Sequence, residues 1–435
     1  MAEDSSQLVY KRPKLSRNSE EEDRLSALPV SLLLHILSFL GTKDVAKTGV
    51  LSRKWQYLWT DLAQFDFRNY SKEIDKIRGF VDWVNKTLDI CSGNYLKKFG
   101  VLFYYRDCFA SSVDVWAEFV IRNKVKDVSL HLLSSNNDIY KLPQLMYSNS
   151  SMTKLNLRRC DIAPPGSMRW GSLTSLSIAE VELSESVMGV VLSGCPVLEY
   201  LELTKCWGLS RLELNTRSLR ELVLKSWYTQ SFLEIVAPYI QILSMGGNGW
   251  ALRLIGISSL VKANLDMKWY NLSVDSEANS QTFMIYMKEL FESIRHVEEV
   301  ELGALFFEVC VHALSFIFMS YYCWRRRACN FQNIHFIITC DPAASFDLNC
   351  DALQLKTIKF ANFGSLYAAG QGQPMLQLVQ LLLKRAKILE EMIIDVKEFT
   401  RSSSSTRNSS DYLNIAETVR NYPRSSLKAV VRLCS

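Results

Sequence analysis

Residues Ser172 to Leu214 read SLTSLSIAEVELSESVMGVVLSGCPVLEYLELTKCWGLSRLEL and contain the apolar spacing Leu-x-x-Leu-x-Leu twice. The first copy begins at Leu173 and the second at Leu198. Alternating apolar and polar residues within each copy are typical of a β-strand with one buried face. Repetition at a regular interval indicates a fold built from stacked copies of one small unit.

The same spacing recurs along most of the 435-residue chain. Apolar triplets begin at Leu96, Val125, Met152, Leu173, Leu198, Leu219, Ile240, Leu260, Val297, Leu355 and Leu389. From Met152 to Leu260 the starts are separated by 21, 25, 21, 21 and 20 residues, within the roughly 20 to 29 residues of a leucine-rich repeat. We therefore predict an α/β fold, a curved leucine-rich-repeat solenoid with a parallel sheet on its concave face.

Small polar residues mark the end of several repeat strands. Cys160, Cys206 and Asn248 each lie eight residues after the start of a triplet, where leucine-rich repeats place Asn or Cys. That position faces inward, where a short side chain bonds to the turning backbone. We interpret these cysteines as structural residues and not as nucleophiles.

A second stretch, Leu25 to Leu62, reads LSALPVSLLLHILSFLGTKDVAKTGVLSRKWQYLWTDL and has the pattern of three short helices. Pro29 suits a first helical turn because its missing N–H would lack a partner there. Thr42 is predicted to cap the second helix, and Ser52 to cap a third that carries Trp55. So short a unit rarely folds alone, so part of its apolar surface should contact the rest of the chain or a partner.

This second stretch resembles an F-box, through Leu28-Pro29, the ILSFL run ending at Leu40, the VLSR run beginning at Val50, and the Trp55/Trp59 pair. An ordinary three-helix core segment is the alternative. Residues 172–214 resemble the leucine-rich part of plant F-box proteins, and 355–363 and 378–394 resemble their FBD region. The chain is thus similar to the plant F-box/leucine-rich-repeat protein family.

The resemblance implies a non-catalytic, substrate-recognition subunit of an SCF-type E3 ubiquitin ligase, which docks a Skp adaptor and through it a cullin. The alternative is a leucine-rich-repeat scaffold or decoy outside the ligase. Eight residues are implied for adaptor docking: Leu28, Pro29, Leu33, Ile36, Leu37, Val50, Leu51 and Trp55. Some of these residues must instead face the chain's own solenoid, and the sequence does not show which ones.

Target binding is expected on the polar side of the repeat strands. Strand alternation points Leu155 inward and its neighbours outward. We predict that Lys154, Arg158 and Tyr200 contribute to capture of a protein target, whose identity the sequence does not give. The alternative for each residue is a merely solvated strand position.

We divide the chain into a disordered tail (1–24), the F-box (25–62), the solenoid (90–303), and divergent repeats with the FBD-like region (304–435). The tail contains Lys11-Arg12-Pro13-Lys14, which is either a nuclear-import signal or solvated charge. We expect a nuclear or cytoplasmic protein, or both. Residues 304–324 have the length of a membrane span but contain Glu308 and His312, so a buried repeat element is favoured over lipid contact.

Composition argues against other classes of function. The 50 Lys and Arg residues nearly balance the 45 Asp and Glu residues, so no nucleic-acid partner is expected. The 11 cysteines include no Cys-x-x-Cys pair, which favours reduced thiols over a zinc site. The five histidines stand singly and no nucleotide or hydrolase motif is present, so we expect no cofactor, metal or catalytic residue.

Overall fold

The structure of the chain is a computed structural model. The structure describes residues 25, 27–91, 96–164, 166, 168–226, 233–247, 252–267, 289–290, 293–294, 296–297, 299–302, 357–360, 376, 379–380, 383–384, 389–395 and 407–434. Three subjects of the sequence analysis lie outside these residues: the Lys11–Lys14 cluster, Asn248 and the segment 304–324. Within the described residues, no helix combines the length and the apolar character that crossing a bilayer requires.

Thirteen of the described strands form one parallel sheet, whose order in space is their order in the chain. These strands are β1 (Gln64–Arg68), β2 (Lys98–Tyr104), β3 (Asp127–Leu133), β5 (Lys154–Arg158), β7 (Ser175–Ala179), β8 (Tyr200–Thr204), β10 (Glu221–Lys225), β12 (Ile242–Gly247), β14 (Lys262–Met267), β15 (Glu299–Leu302), β16 (Thr357–Phe360), β17 (Glu391–Asp395) and β18 (Val430–Cys434).

Shorter strands and helices connect these thirteen. The short strands are β4 (Tyr140–Lys141), β6 (Cys160–Asp161), β9 (Arg211–Glu213), β11 (Leu233–Val236) and β13 (Leu252–Ile255). The α-helices are α1 (Val30–Leu37), α2 (Thr42–Lys47), α3 (Ile74–Ile90), α4 (Ala110–Arg122), α5 (Glu185–Gly194) and α6 (Arg407–Arg420). Single 3-10 turns lie at Thr48–Val50, Leu58–Asp61, Asp107–Phe109 and Gln144–Ser148.

The register of the sheet confirms the predicted solenoid. The second residues of the apolar triplets pair with one another from strand to strand: Phe99, Val128, Leu155, Leu176, Leu201, Leu222, Leu243, Ala263, Val300, Ile358 and Met392. Leu201 and Leu203 of β8 are completely buried, whereas Glu202 between them lies on the other side of the sheet. Burial of each such leucine contributes about 1.5 to 3 kcal/mol.

Repeat length determines what fills the side of the sheet that carries the core. The 25-residue step from Leu173 to Leu198 contains α5, whose first turn is capped by Ser184. The shorter steps that follow contain the strands β9, β11 and β13, which pair in parallel with one another. A step of 20 or 21 residues leaves room only for a short extended segment there.

The sheet extends beyond the predicted repeats at both ends. Phe65 and Phe67 of β1 follow Leu62 with the triplet spacing, and β18 adds a strand after the last predicted triplet. Helix α3 follows β1. β1 and all of α3 except its last residue, Ile90, lie in residues 63–89, which the predicted division left unassigned between F-box and solenoid.

Two details predicted for the F-box region are wrong. Gly41, and not Thr42, occupies the N-cap of α2, and no side chain caps that helix. The third segment after Ser52 is a run of turns that ends in the 3-10 helix Leu58–Asp61, not an α-helix.

The F-box region packs directly on the first strand of the sheet. The Thr42 hydroxyl accepts a hydrogen bond from the Asp66 N–H at 2.8 Å, and Gln64 Nε2 donates to the Ser38 carbonyl at 3.2 Å. The Trp59 and Phe65 rings meet edge to face with centroids 6.2 Å apart. These contacts cover the free edge of β1, which would otherwise be open to pairing with another chain.

Candidate functional site

Apolar side chains remain uncovered on the F-box region after the chain has folded. We call this surface the docking patch, and its exposed members are Leu25, Val30, Leu32, Ile36, Phe39, Leu40, Val50, Leu51 and Tyr57. Val50 is 88% exposed and Phe39 is 76% exposed. A concentration of large exposed apolar side chains within some thirty residues is typical of an interaction surface.

The structure separates the eight residues implied for adaptor docking into two groups. Pro29, Ile36, Val50 and Leu51 are exposed. Leu33, Leu37 and Trp55 are buried in the chain's own core, and Leu28 is partly buried against it. In this structure the three core residues have no surface left for a partner, so their assignment to a docking contact is corrected to a structural role.

The geometry of α1 explains why the sequence alone did not distinguish the buried residues from the exposed ones. The helix reads VSLLLHIL and is apolar around nearly its whole circumference. Leu33 and Leu37, four residues apart, face the core, while Leu32 and Ile36, also four apart, face outward. Positions i and i+4 share a face of a helix, so each pair forms its own stripe. Reasoning from the motif named Ile36 but missed Leu32, Phe39 and Tyr57 in the docking patch.

The polar side of the sheet carries the three residues predicted to bind a target. We call this side the open face. Lys154 and Tyr200 lie in one row across it, since both are in register with Ser175 of the strand between them. Arg158 lies at the other end of β5. Lys154 is exposed, whereas Arg158 and Tyr200 are half-buried.

Glu202 organises the open face around Tyr200. It accepts hydrogen bonds from Ser177 Oγ at 3.0 Å, Tyr200 Oη at 3.0 Å, Thr204 Oγ1 at 3.3 Å and Lys225 Nζ at 2.8 Å. Burial disfavours its charged form, but these bonds outweigh burial, so the pKa of Glu202 lies below the ordinary value. The pKa of Tyr200 is raised by burial and by its bond to Glu202.

A second group of charges lies at the rim of the open face, where β5, β7 and β8 end. The residue directly after each of these strands has a positive φ: Arg159 (59°), Glu180 (56°) and Lys205 (53°). Their backbone N–H groups donate to the last carbonyls of the next strands, at Ala179, Thr204 and Lys225. This arrangement stacks the three side chains in successive repeats with alternating charge.

Glu180 is the centre of this group. Its carboxylate lies 2.7 Å from Arg158 Nη2, 3.7 Å from Arg159 Nη1 and 3.6 Å from Lys205 Nζ. Burial opposes ionisation of Glu180, but the hydrogen bond from Arg158 and the three positive charges outweigh burial and hold the pKa of Glu180 below its ordinary value. We call Arg158, Arg159, Glu180 and Lys205 the rim cluster. Of these four residues, only Arg158 was predicted from the sequence to be functional.

Cys160 and Cys206 occupy structural positions in the repeats. Cys206 Sγ lies 3.4 Å from the Ile178 carbonyl, and Cys160 Sγ lies 3.6 Å from the Arg158 carbonyl, which are the inward backbone contacts predicted for these cysteines. Burial raises the pKa of the Cys206 thiol to about 12, and it raises the pKa of Cys160 as well. A thiol with so high a pKa is a poor nucleophile at neutral pH.

Metal sites and organic-ligand pockets in proteins have characteristic ligand groupings and cavity sizes. The described residues contain no group of three or more His, Cys, Asp and Glu side chains arranged to hold a metal ion. A groove of about 80 Å³ lies between α3 and α4, lined in part by Asn85, Asp89 and Arg122. It is smaller than the roughly 300 to 1,000 Å³ of an organic-ligand pocket.

Comparison with known families agrees with this geometry. A family model described as the At1g61320/AtMIF1 LRR domain matches residues 88–305, and the F-box domain model matches residues 25–65. An F-box domain implies, in general, binding to a Skp-type adaptor, and F-box/LRR proteins are typically adaptors rather than enzymes.

Three relatives come from Arabidopsis thaliana. The F-box/LRR-repeat protein At3g03360 is 30% identical over 67% of this chain and 61% of its own length. The putative F-box/LRR-repeat protein At5g02930 is 28% identical over 68% of this chain and 64% of its own length. The chain therefore spans less than two thirds of these two relatives. F-box/LRR-repeat protein 25 is 32% identical over 54% of this chain and 89% of its own length.

The leucine-rich-repeat match covers half of the chain, and the F-box match contains all residues of the docking patch. The names of the relatives include both the F-box and the leucine-rich repeat. The chain belongs to the F-box/LRR-repeat protein family.

Proposed function

We propose that this chain is the substrate-recognition subunit of an SCF-type E3 ubiquitin ligase. The F-box would bind a Skp adaptor, the adaptor would connect the chain to a cullin, and the repeats would hold a protein target. The single observation that carries the proposal is the docking patch, whose apolar side chains stay exposed although other apolar residues of the F-box region, among them Leu33, Leu37 and Trp55, are buried in the core.

The chain would contribute proximity and no chemistry of its own. Holding a target beside a ubiquitin-carrying enzyme converts a bimolecular encounter into a local one at high effective concentration. The buried, high-pKa thiols of Cys160, Cys195 and Cys206 suit this role, because none of them is activated as a nucleophile.

Adaptor binding is tested with a matched pair of surface variants of the full chain. Leu51 in the docking patch is 63% exposed, and Leu413 on α6 is 64% exposed. Leu51→Asp should abolish co-purification with a co-expressed Skp adaptor, whereas Leu413→Asp should leave it intact. Equal retention of the adaptor by both variants would contradict the proposal and favour a scaffold acting outside the ligase.

Deletion of the whole F-box region is a poor substitute for these variants. Leu33, Leu37 and Trp59 belong to the same continuous core as Phe65 of β1. Their removal would expose the first strand and its core, so a loss of binding would report unfolding as readily as a lost contact.

For target binding we propose that Lys154, Arg158 and Tyr200 contribute contacts on the open face. Lys154 has no acidic side chain within 4.0 Å among the described residues, so its charge is available to a ligand. Lys154→Glu should weaken binding of a target without changing the melting temperature. Unchanged binding in that variant would remove Lys154 from the site.

We also propose that the protein acts in the nucleus, in the cytoplasm or in both. The basic sequence Lys11-Arg12-Pro13-Lys14 supports nuclear import. A fluorescent fusion that keeps the same distribution after substitution of Lys11 and Lys14 by Gln would contradict a role of this cluster in import.

A further inference from the structure

The rim cluster contains more positive charge than its own chain neutralises. Three cations surround the single carboxylate of Glu180, and the Glu180 side chain is only 17% exposed. Its oxygens are therefore already committed to partners within the chain. The Lys205 side chain remains 42% exposed and that of Arg158 remains 35% exposed, so both still reach solvent.

The guanidinium groups of the rim cluster are also incompletely bonded. The Nε atoms of Arg158 and Arg159 are buried and have no hydrogen-bond partner among the residues that the structure describes. Leaving such donors unpaired costs on the order of 1 to 3 kcal/mol each. Excess charge and unmet donors together favour the approach of an anion, which would reorient the guanidinium groups and gain charge-assisted hydrogen bonds.

The part of the open face beside the rim cluster also carries positively charged side chains. Lys154 lies on the same strand as Arg158 and is exposed, and Lys225 stands one strand beyond Thr204. Glu202 of β8 is already held by Lys225 and three hydroxyl groups. From β5 to β10, the strands of the open face and the residues directly after them carry five cations and three carboxylates, so this surface has a net positive charge. The cations are Lys154, Arg158, Arg159, Lys205 and Lys225, and the carboxylates are those of Glu180, Glu202 and Glu221.

We propose that the rim cluster recognises a target segment that carries several anionic side chains spaced along the peptide, either Asp and Glu carboxylates or phosphorylated side chains. The inference rests on the proposed function, because it specifies the class of target that the open face receives. A polypeptide fits better than a nucleic acid, because the cations alternate with acidic side chains that would repel a continuous phosphate backbone. Isolated anionic side chains of a peptide avoid those acids.

The test measures fluorescence anisotropy of labelled peptides with the purified full chain. Three peptides of equal length alternate glycine with Glu, with phosphoserine or with Gln. We expect the Glu and phosphoserine peptides to bind, with affinity that falls as salt concentration rises, and the Gln peptide not to bind. Lys205→Gln should weaken binding about tenfold, as expected for loss of one charge-assisted hydrogen bond. Lys86→Gln on α3 removes the same charge from the other side of the sheet and should change nothing.

Glu180→Gln provides the sharpest discrimination. Removing the internal carboxylate releases Arg158 and Lys205, so affinity for the anionic peptides should rise about threefold or more. A purely structural ion-pair network would give no such gain. Equal binding of all three peptides, or equal losses in Lys205→Gln and Lys86→Gln, would overturn the inference.

The peptides also identify the source of the anionic group, because they separate carboxylates from phosphate esters. A nucleic-acid ligand would appear instead as tight binding of single-stranded oligonucleotide with no peptide binding, and this result would also overturn the inference. Co-purification of a Skp adaptor is measured on the same preparations. If the adaptor binds but the peptides do not, the proposed function stands and only the charge specificity fails.

Discussion

The structure predicts that substitutions at two apolar residues of the F-box region should have different effects, one on adaptor binding and the other on stability. Val50 is 88% exposed and belongs to the docking patch, whereas Leu37 is completely buried. Motif resemblance implies both for adaptor docking. We compare Val50→Asp with Leu37→Ala and expect the first to lose adaptor affinity with full stability, and the second to lose stability.

The magnitudes follow from burial. Complete burial of a valine side chain contributes about 1.5 to 3 kcal/mol. With 88% of Val50 still exposed, an adaptor that covers it gains about 1.3 to 2.6 kcal/mol, or roughly tenfold to eightyfold in Kd. Val50→Asp forfeits at least this amount, because a carboxylate must also be desolvated in the interface. Leu37→Ala should lower the free energy of unfolding by about 2 to 5 kcal/mol, the usual effect of leaving a cavity in a core.

Two measurements separate these outcomes. Isothermal titration calorimetry with a purified Skp adaptor gives Kd, and urea unfolding of the free chain gives stability. Val50→Asp should shift Kd and leave the unfolding midpoint unchanged, while folded Leu37→Ala should bind with wild-type affinity. Wild-type affinity in Val50→Asp, or weak binding by fully stable Leu37→Ala, would refute the assignment of the docking patch.

Three further predictions concern stability and reactivity. Thr42→Val should destabilise the junction between the F-box and the sheet by about 1 to 3 kcal/mol, because the Asp66 N–H loses its acceptor, and urea unfolding checks this. Because the pKa of Glu180 lies below the ordinary value of a glutamate carboxyl, its stabilisation is present above that ordinary value and is lost as the pH falls through the folded-state pKa. Thermal unfolding of Glu180→Gln should therefore depend less on pH in that acidic range than the wild type. Brief maleimide treatment of the native chain should label Cys108, which is exposed, far faster than Cys206, which is buried and has a raised pKa. Peptide mapping measures the labelling, and equal labelling of the two thiols would contradict the packing of the repeat around Cys206.

The repeat register was predictable because a half-buried strand has a strict two-residue alternation. Leu155, Leu176 and Leu201 occupy equivalent positions in successive strands, and a shift of one residue would expose each of them. The local sequence therefore contains enough information to align the whole sheet. The two strands that were not predicted differ in this respect: β1 has the triplet spacing at Leu62, Phe65 and Phe67, whereas no apolar triplet of that form precedes β18.

Tertiary contacts determined the features that the sequence did not predict. The Thr42 hydroxyl is suited to capping a helix, but it accepts instead from Asp66, which is distant in sequence and adjacent only after folding. The rim cluster depends on residues with positive φ at the ends of three different strands. Charged side chains are uncommon in that conformation, so no propensity rule would have placed Glu180 between Arg158 and Lys205.

The junction between the F-box and the sheet has a mechanical consequence for the proposed function. Thr42 and Ser38 bond to β1, Trp59 packs on Phe65, and the core runs without interruption from Leu33 into the repeats. An F-box joined by a flexible linker would let a bound target sample many positions, and effective concentration falls as the accessible volume grows. Here the docking patch and the open face belong to one packed unit, so an adaptor bound at the first would hold a target on the second at a defined distance and orientation.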